Sequence, residues 1–180
     1  NRQILFNTKD IGKFKVIQAK KFLQKVNKML KINTYKLKII KKNVQNILSK
    51  YDIICDCSDN FTTRYLLNDF CLKNKKILIS AAINKFEVHV FNFNFSKKIP
   101  CYRCFMPEIP DEEDKCDAEG ILPTVAGIAG TLQANEVVKS ILGKKDELVG
   151  KMIVFNTLSL NFRIIKLTRN ADCIMGCRKR

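Results

Sequence analysis

Two close pairs of cysteines lie far apart in the chain. Cys101 and Cys104 are spaced Cys-x2-Cys, and Cys173 and Cys177 are spaced Cys-x3-Cys. Four thiolates around one tetrahedral zinc ion make a closed, structural site with no position left for water. Such a site would tie the C-terminal tail back to the loop that carries the first pair. The competing readings are a redox pair or free thiols; two pairs, one in a long loop and one at the terminus, favour zinc. Cys116 has no pairing partner. It follows Asp111, Glu112, Glu113 and Asp114, which raise a thiol pKa, and Lys115, which lowers it. From the residues alone it is equally a reactive loop thiol or an incidental one.

A second kind of chemistry is offered by CSDN, directly after the apolar run DIIC. Open α/β sheets bind ligands at the carboxyl ends of their strands, which is where Asp59 falls. With Asn60 it could hold Mg²⁺ beside a nucleotide phosphate. The plainer alternative is a helix cap supplied by Ser58, Asp59 or Asn60. Arg2 and Lys15 could clamp phosphates, although 33 basic residues make any two of them weak evidence. No G-x-G-x-x-G follows a strand; Gly127 and Gly130 lie inside a helix of small residues.

These groups need a scaffold. With 180 residues, 46% of them hydrophobic, a single domain with its own core is expected. No apolar run approaches the roughly 20 residues of a membrane span, and Arg2, Gln3 and Ile4 carry no signal-peptide pattern. A net charge of +16 invites a nucleic-acid reading. The scattered lysines, with isoleucine and asparagine also abundant, favour a compositional origin, with an acidic protein as the partner such a surface would attract. Cys55, Cys57 and Cys71 are expected to be packed in the core. The cysteine pattern suits a reducing, cytoplasmic compartment better than a disulfide framework.

Along the chain, apolar residues from Val16 to Leu30 recur at helical spacing. TYKLKII alternates and predicts a strand over Tyr35, Leu37 and Ile39. A short helix over Val44–Ser49, a strand at DIIC, a helix from Phe61 and a strand at KILIS give the rhythm of βαβ units. Phe86, Val88 and Val90 alternate, and Phe91, Phe93 and Phe95 alternate in the opposite phase, which predicts a bulge or a sharp bend in a long strand. His89 reads as structural. A long loop, 96–120, is followed by a helix starting at Pro123 and ending near Gly143. Its small residues Ala126, Gly127, Ala129 and Gly130 predict a closely packed backbone neighbour. KMIVFN and LNFRIIKLT read as an antiparallel pair. The expected fold is α/β: a doubly wound, mostly parallel, Rossmann-like sheet with an antiparallel C-terminal extension.

NRQILF, GKFKV, DCSDNFTTR, PCYRC, CDAEGILPTVAGIAGTLQANEVVK and the terminal cysteines together resemble the ThiF/MoeB/HesA family, relatives of ubiquitin-activating enzymes. The resemblance covers the whole chain. It implies adenylation, with ATP and Mg²⁺, of the C-terminal glycine of a small ubiquitin-like sulfur-carrier protein, for thiamine or molybdopterin-type sulfur transfer. By the same resemblance Arg2 and Lys15 contact ATP, Asp59 serves Mg²⁺ and adenylation with Asn60 beside it, and Cys101, Cys104 and Cys173 bind structural zinc (Zn²⁺). Cys116 takes the place of the crossover-loop cysteine. The terminal pair departs from the family's Cys-x2-Cys, with Gly176 where the fourth ligand would stand, so Cys177 must reach further. The family's N-terminal glycine-rich loop is not in these residues, which reads as the C-terminal two-thirds of an adenylating domain. A homodimer when complete and a sulfurtransferase donor are the further implied partners. The rival reading is a non-catalytic, zinc-stabilised module that binds an acidic protein or nucleic acid.

Overall fold

The computed structural model describes residues 3–109, 120–144 and 147–177. Two compact units, Asn1–Ile39 and Ile40–Arg180, are taken separately. In the first, Asn7 and Asp10 cap each other across a 3-10 turn, Thr8–Asp10. Helix α1 follows over Lys15–Val26. It stops before Leu30 because the Asn27 side chain accepts a hydrogen bond from the Met29 amide at 2.9 Å, a turn that competes with further helix. The strand predicted over 35–39 does not form. Alternation supplies a strand with faces, but a strand persists only beside a partner, and the sheet begins later in the chain.

In the second unit, α2 (Val44–Leu48) leads into β1 (Ile53–Asp56). Helix α3 (Phe61–Lys73) returns to β2 (Ile77–Asn84), which runs parallel to β1. A tight turn with Lys85 at φ +51° starts β3 (Glu87–Asn94). After α4 (Tyr102–Phe105) and α5 (Pro123–Ile141), β4 (Lys151–Asn156) and β5 (Asn161–Lys166) complete one open, five-stranded sheet in the order β1-β2-β3-β4-β5. The fold is the expected α/β sheet with an antiparallel extension. The extension already begins at β3, so β1 and β2 form the parallel part within the described residues.

No bulge interrupts the pairing of β3 with β2, which runs in unbroken register over Glu87–Asn94; with β4 the register is regular over Glu87–Phe91, and Asn92 then bridges Val149. The change of phase has another cause: both faces of this strand are covered, each over a different stretch. Val88 and Val90 face Val125 and Ala129 of α5 in a core that includes Ile79, Leu148 and Ile153. Phe91 and Phe93 stack on each other, and Phe91 meets Tyr102 and Phe105 of α4 edge-on or tilted. Burial of a large apolar side chain is worth about 1.5–3 kcal/mol, so each face contributes several such terms. His89 is half-buried beside Glu87, at 3.4 Å.

Helix α5 starts at Pro123 as expected and ends where Gly143 adopts φ +59° and Lys144 donates to the Lys139 carbonyl. Of its small residues, Ala129 is buried on the sheet. Gly127 and Gly130 face open space instead of a backbone neighbour among the described residues.

Candidate active site and metal centre

Cys101, Cys104, Cys173 and Cys177 converge, with all four sulfurs within 4.8 Å of one another. Adjacent sulfurs lie 3.9 Å (Cys101–Cys104), 3.7 Å (Cys101–Cys173) and 3.7 Å (Cys173–Cys177) apart. A tetrahedron of sulfurs at the zinc–thiolate distance has edges of about 3.8 Å, so the cluster could hold a zinc ion. The longer Cys-x3-Cys spacing is absorbed at Gly176. Its φ of +65° and the bond from its amide to the Cys173 carbonyl at 2.8 Å curl the tail tightly. The backbone amides of Cys104 and Asn170 point at the sulfurs of Cys101 and Cys104, the donors a thiolate needs. Two of the thiols, Cys101 and Cys104, resist ionising. Cys101 is pushed up, first by its hydrogen bond with Cys177 and then by burial, and burial likewise raises Cys104. A divalent ion reverses that balance.

At the carboxyl end of β1 the chain builds a different site. Asp56 is fully buried and accepts from the Ser58 amide (3.0 Å), the Ser58 hydroxyl (2.6 Å) and the Ser80 hydroxyl (2.7 Å). Arg64, buried on the first turns of α3, brings its Nε to 3.6 Å from Asp56 and donates to the Ser58 carbonyl at 2.8 Å. Ser58 is thereby held at its amide, hydroxyl and carbonyl. Asn60 is the helix cap, accepting from the Thr63 amide at 2.8 Å. Between these two pinned residues Asp59 projects into solvent, with Asn60 Nδ2 donating to it at 3.3 Å. Gln133 of α5 closes the floor by donating to the Asp56 and Ile79 carbonyls at 2.9 and 2.8 Å.

The ThiF family matches residues 1–175. The chain belongs to the ThiF family. Among its relatives, a probable molybdopterin-synthase adenylyltransferase of Pyropia yezoensis is 41% identical, over 99% of this chain and 47% of the relative. The adenylyltransferase and sulfurtransferase MOCS3 of Culex quinquefasciatus is 37% identical over 97% and 40%. The sulfur carrier protein adenylyltransferase of Thermus thermophilus is 34% identical over 96% and 66%. The ThiF chain thus spans 40% to 66% of these relatives' lengths. In fold it is similar to E. coli MccB solved with ATP, at a TM-score of 0.79 and 20% identity over 96% of this chain and 54% of that one.

Of the residues singled out in the sequence, the four cysteines come together, and Asp59 and Asn60 share one loop. Lys15 opens α1 of the first unit and is exposed. Arg2 and Cys116 lie outside the described residues. Cys71 is buried as expected, but Cys55 and Cys57 are exposed. Cys55 sits on β1, the edge strand of the described sheet, and Cys57, just past its end, reaches back to donate to Gln133 Oε1 at 3.2 Å. Sequence reasoning missed Asp56, Arg64, Ser80 and Gln133, and saw Ser58 only as a candidate helix cap. The available signal was an acid inside an otherwise apolar strand, which requires a buried partner.

Proposed function

We propose that this chain is part of an ATP-dependent adenylyltransferase acting on the C-terminal glycine of a small ubiquitin-like sulfur carrier. The observation that carries the reading is Asp59, an exposed carboxylate at the carboxyl end of β1, held between two fixed neighbours. Relatives bearing adenylyltransferase names over nearly the whole chain support it.

A carboxylate is a poor electrophile until one oxygen becomes part of a good leaving group. The glycine carboxylate attacks the α-phosphorus of ATP, the bond to the β-phosphate breaks, and pyrophosphate departs, leaving an acyl-adenylate. Asp59 and Asn60 would hold Mg²⁺, which neutralises phosphate charge as the displacement proceeds. Arg2 and Lys15 supply further positive charge to the phosphates. A sulfur nucleophile then attacks the acyl carbon and AMP leaves; Cys116 is assigned to that stage, with a sulfurtransferase as donor. Cys101, Cys104, Cys173 and Cys177 hold zinc in a structural role. The active form is a cytoplasmic homodimer, and the sulfur is destined for a molybdopterin or thiamine-type product.

The test is ATP–pyrophosphate exchange by the full-length gene product with a glycine-terminated carrier. Exchange that depends on the carrier supports the enzyme reading. No exchange, with one zinc per chain retained, supports a non-catalytic, zinc-stabilised binding module instead.

A further inference from the structure

Of the two cysteine pairs, the first is held in place by groups that are not ligands. Cys101 and Cys104 lie at the N-cap and within α4, a helix of one turn, and so short a helix does not persist unaided. Its first amides have no partner inside the turn, and the Cys101 side chain caps none of them. Asn68 of α3, fully buried, supplies a partner: its Oδ1 accepts from the Tyr102 amide at 2.9 Å. The same side chain donates through Nδ2 to Asp69 Oδ1 at 3.0 Å, which fixes its orientation. Asp69 in turn takes a two-pronged bond from Arg103, Nε and Nη2 each at 2.8 Å. The guanidinium also lies over the Tyr65 ring, 4.6 Å from its centre. The two residues between the ligands, Tyr102 and Arg103, are thus tied to α3, one through its backbone and the other through its side chain.

The second pair has no such support. Over residues 171–177 only Cys173 and Cys177 are buried, and Ile174 is 77% exposed. Among the described residues, the backbone hydrogen bonds of this segment end on Asn170 or inside the segment. The Asp172 amide donates to Asn170 Oδ1 at 2.8 Å, the Cys173 amide to the Asn170 carbonyl at 3.3 Å, and the Gly176 amide to the Cys173 carbonyl at 2.8 Å. What reaches back to the sheet domain is sulfur, with Cys173 Sγ 3.7 Å from Cys101 Sγ. A local curl sets the spacing of its own two sulfurs. It does not set their place against the first pair.

We propose that Asn68, Asp69 and Arg103 are positioning residues of the metal centre. They preform Cys101 and Cys104 as a half-site on α3 that takes a divalent, thiophilic cation first, and the tail then closes Cys173 and Cys177 over it. The inference rests on the zinc reading of the four cysteines and adds to it the groups behind them that set the ion's affinity. A half-site already in place lowers the ordering cost that binding must meet. Each ligand thiol gives up its proton to solvent as its sulfur takes the ion.

The experiment uses the full-length protein and Zn²⁺ alone. Arg103→Lys keeps the charge and loses the two-pronged bond; Asp69→Asn keeps the shape and loses the charge. In competition with a zinc chelator, each variant binds Zn²⁺ roughly 10- to 100-fold more weakly than wild type, the scale of a lost partner behind a ligand. At saturating Zn²⁺ the Tyr102, Cys173 and Gly176 amides are protected from hydrogen exchange in wild type and in both variants, which general unfolding would not allow. Exchange in the chelator-stripped wild type reads the order of assembly: the Cys173 and Gly176 amides lose protection and the Tyr102 amide keeps it. Equal zinc affinity in wild type and both variants, or a stripped protein whose Tyr102 and tail amides open together, would overturn the preformed half-site and leave the zinc reading standing. A wild-type protein that takes up no Zn²⁺ would overturn the zinc reading itself, and the inference with it.

Discussion

The metal centre and the Asp59 loop manage charge in opposite ways. At the cysteine cluster every ligand atom turns inward, and Cys101, Cys173 and Cys177 are buried. An ion there has its coordination filled by protein, so it can stabilise but not react. At the β1–α3 loop the buried groups, Asp56 and Arg64, lie beneath the site and satisfy each other and Ser58. The acid above them, Asp59, is left facing solvent. The difference separates scaffold from chemistry. One region spends its charged capacity on holding the tail, and the other uses buried charge to hold a loop so that a free carboxylate is always presented.

Breaking the closed region should have the largest effect. Cys101→Ser removes one ligand of four, and the expected outcome is loss of the one zinc per chain measured by elemental analysis. Because binding energy at a structural zinc site is folding energy, stability should fall by several kcal/mol, on the order of 10 °C or more in Tm. A native protein that carries no metal, with an unchanged Tm in the serine variant, would remove the scaffold half of the comparison.

Next in size is the floor of the open region. Arg64→Ala leaves Asp56 buried with hydroxyls and an amide but no cation. Stripping one partner from a buried ion pair costs about 3–5 kcal/mol, which should appear as a lower urea midpoint. If the midpoint barely moves, Arg64 is not what holds the loop. Asp59→Ala probes the presented acid itself. Its side chain is exposed, so stability should hold within about 0.5 kcal/mol. Exchange activity should nevertheless fall by roughly 10²–10³-fold, the scale of one lost electrostatic contact to the transition state. An equal loss of stability and activity would mean that Asp59 belongs to the scaffold after all.

The same contrast explains what was legible in the sequence. Cys-x2-Cys and Cys-x3-Cys could be paired by arithmetic because the ligands are of one type and closely spaced, and helices α3 and α5 announced themselves through apolar spacing, a cap and Pro123. The floor under Asp59 is assembled from β1, β2, α3 and α5, and no spacing rule links Asp56 to Ser80 or to Gln133 far along the chain. The phase change in β3 was visible, but it recorded two covers on two faces, and periodicity counts faces without saying what covers them. Segment 35–39 shows the limit from the other side: a strand pattern is a statement about a partner the sequence does not name. The exposed Cys55 failed for the same reason, since β1 lies at the edge of the described sheet, and Cys57 falls just past the end of that strand.

The smallest expected effect lies between the two regions, at Tyr65. Its hydroxyl is pushed up to about 12, first by burial and then by the neighbouring Tyr102. An unfolded tyrosine ionises near 10. A folded pKa raised above the unfolded one means that the contribution is complete below about pH 10 and is lost as pH climbs through 12. Tyr65→Phe removes both the hydrogen bonds to the Met106 and Glu108 carbonyls and this titration. At pH 8 the variant should therefore be less stable by about 1 kcal/mol. Between pH 10 and 12 its stability should fall less steeply, so the two curves of urea midpoint against pH converge. Parallel curves would show that the hydroxyl is already solvated in the native state, and α3 would then hold the Asp59 loop without also holding residues 106–108.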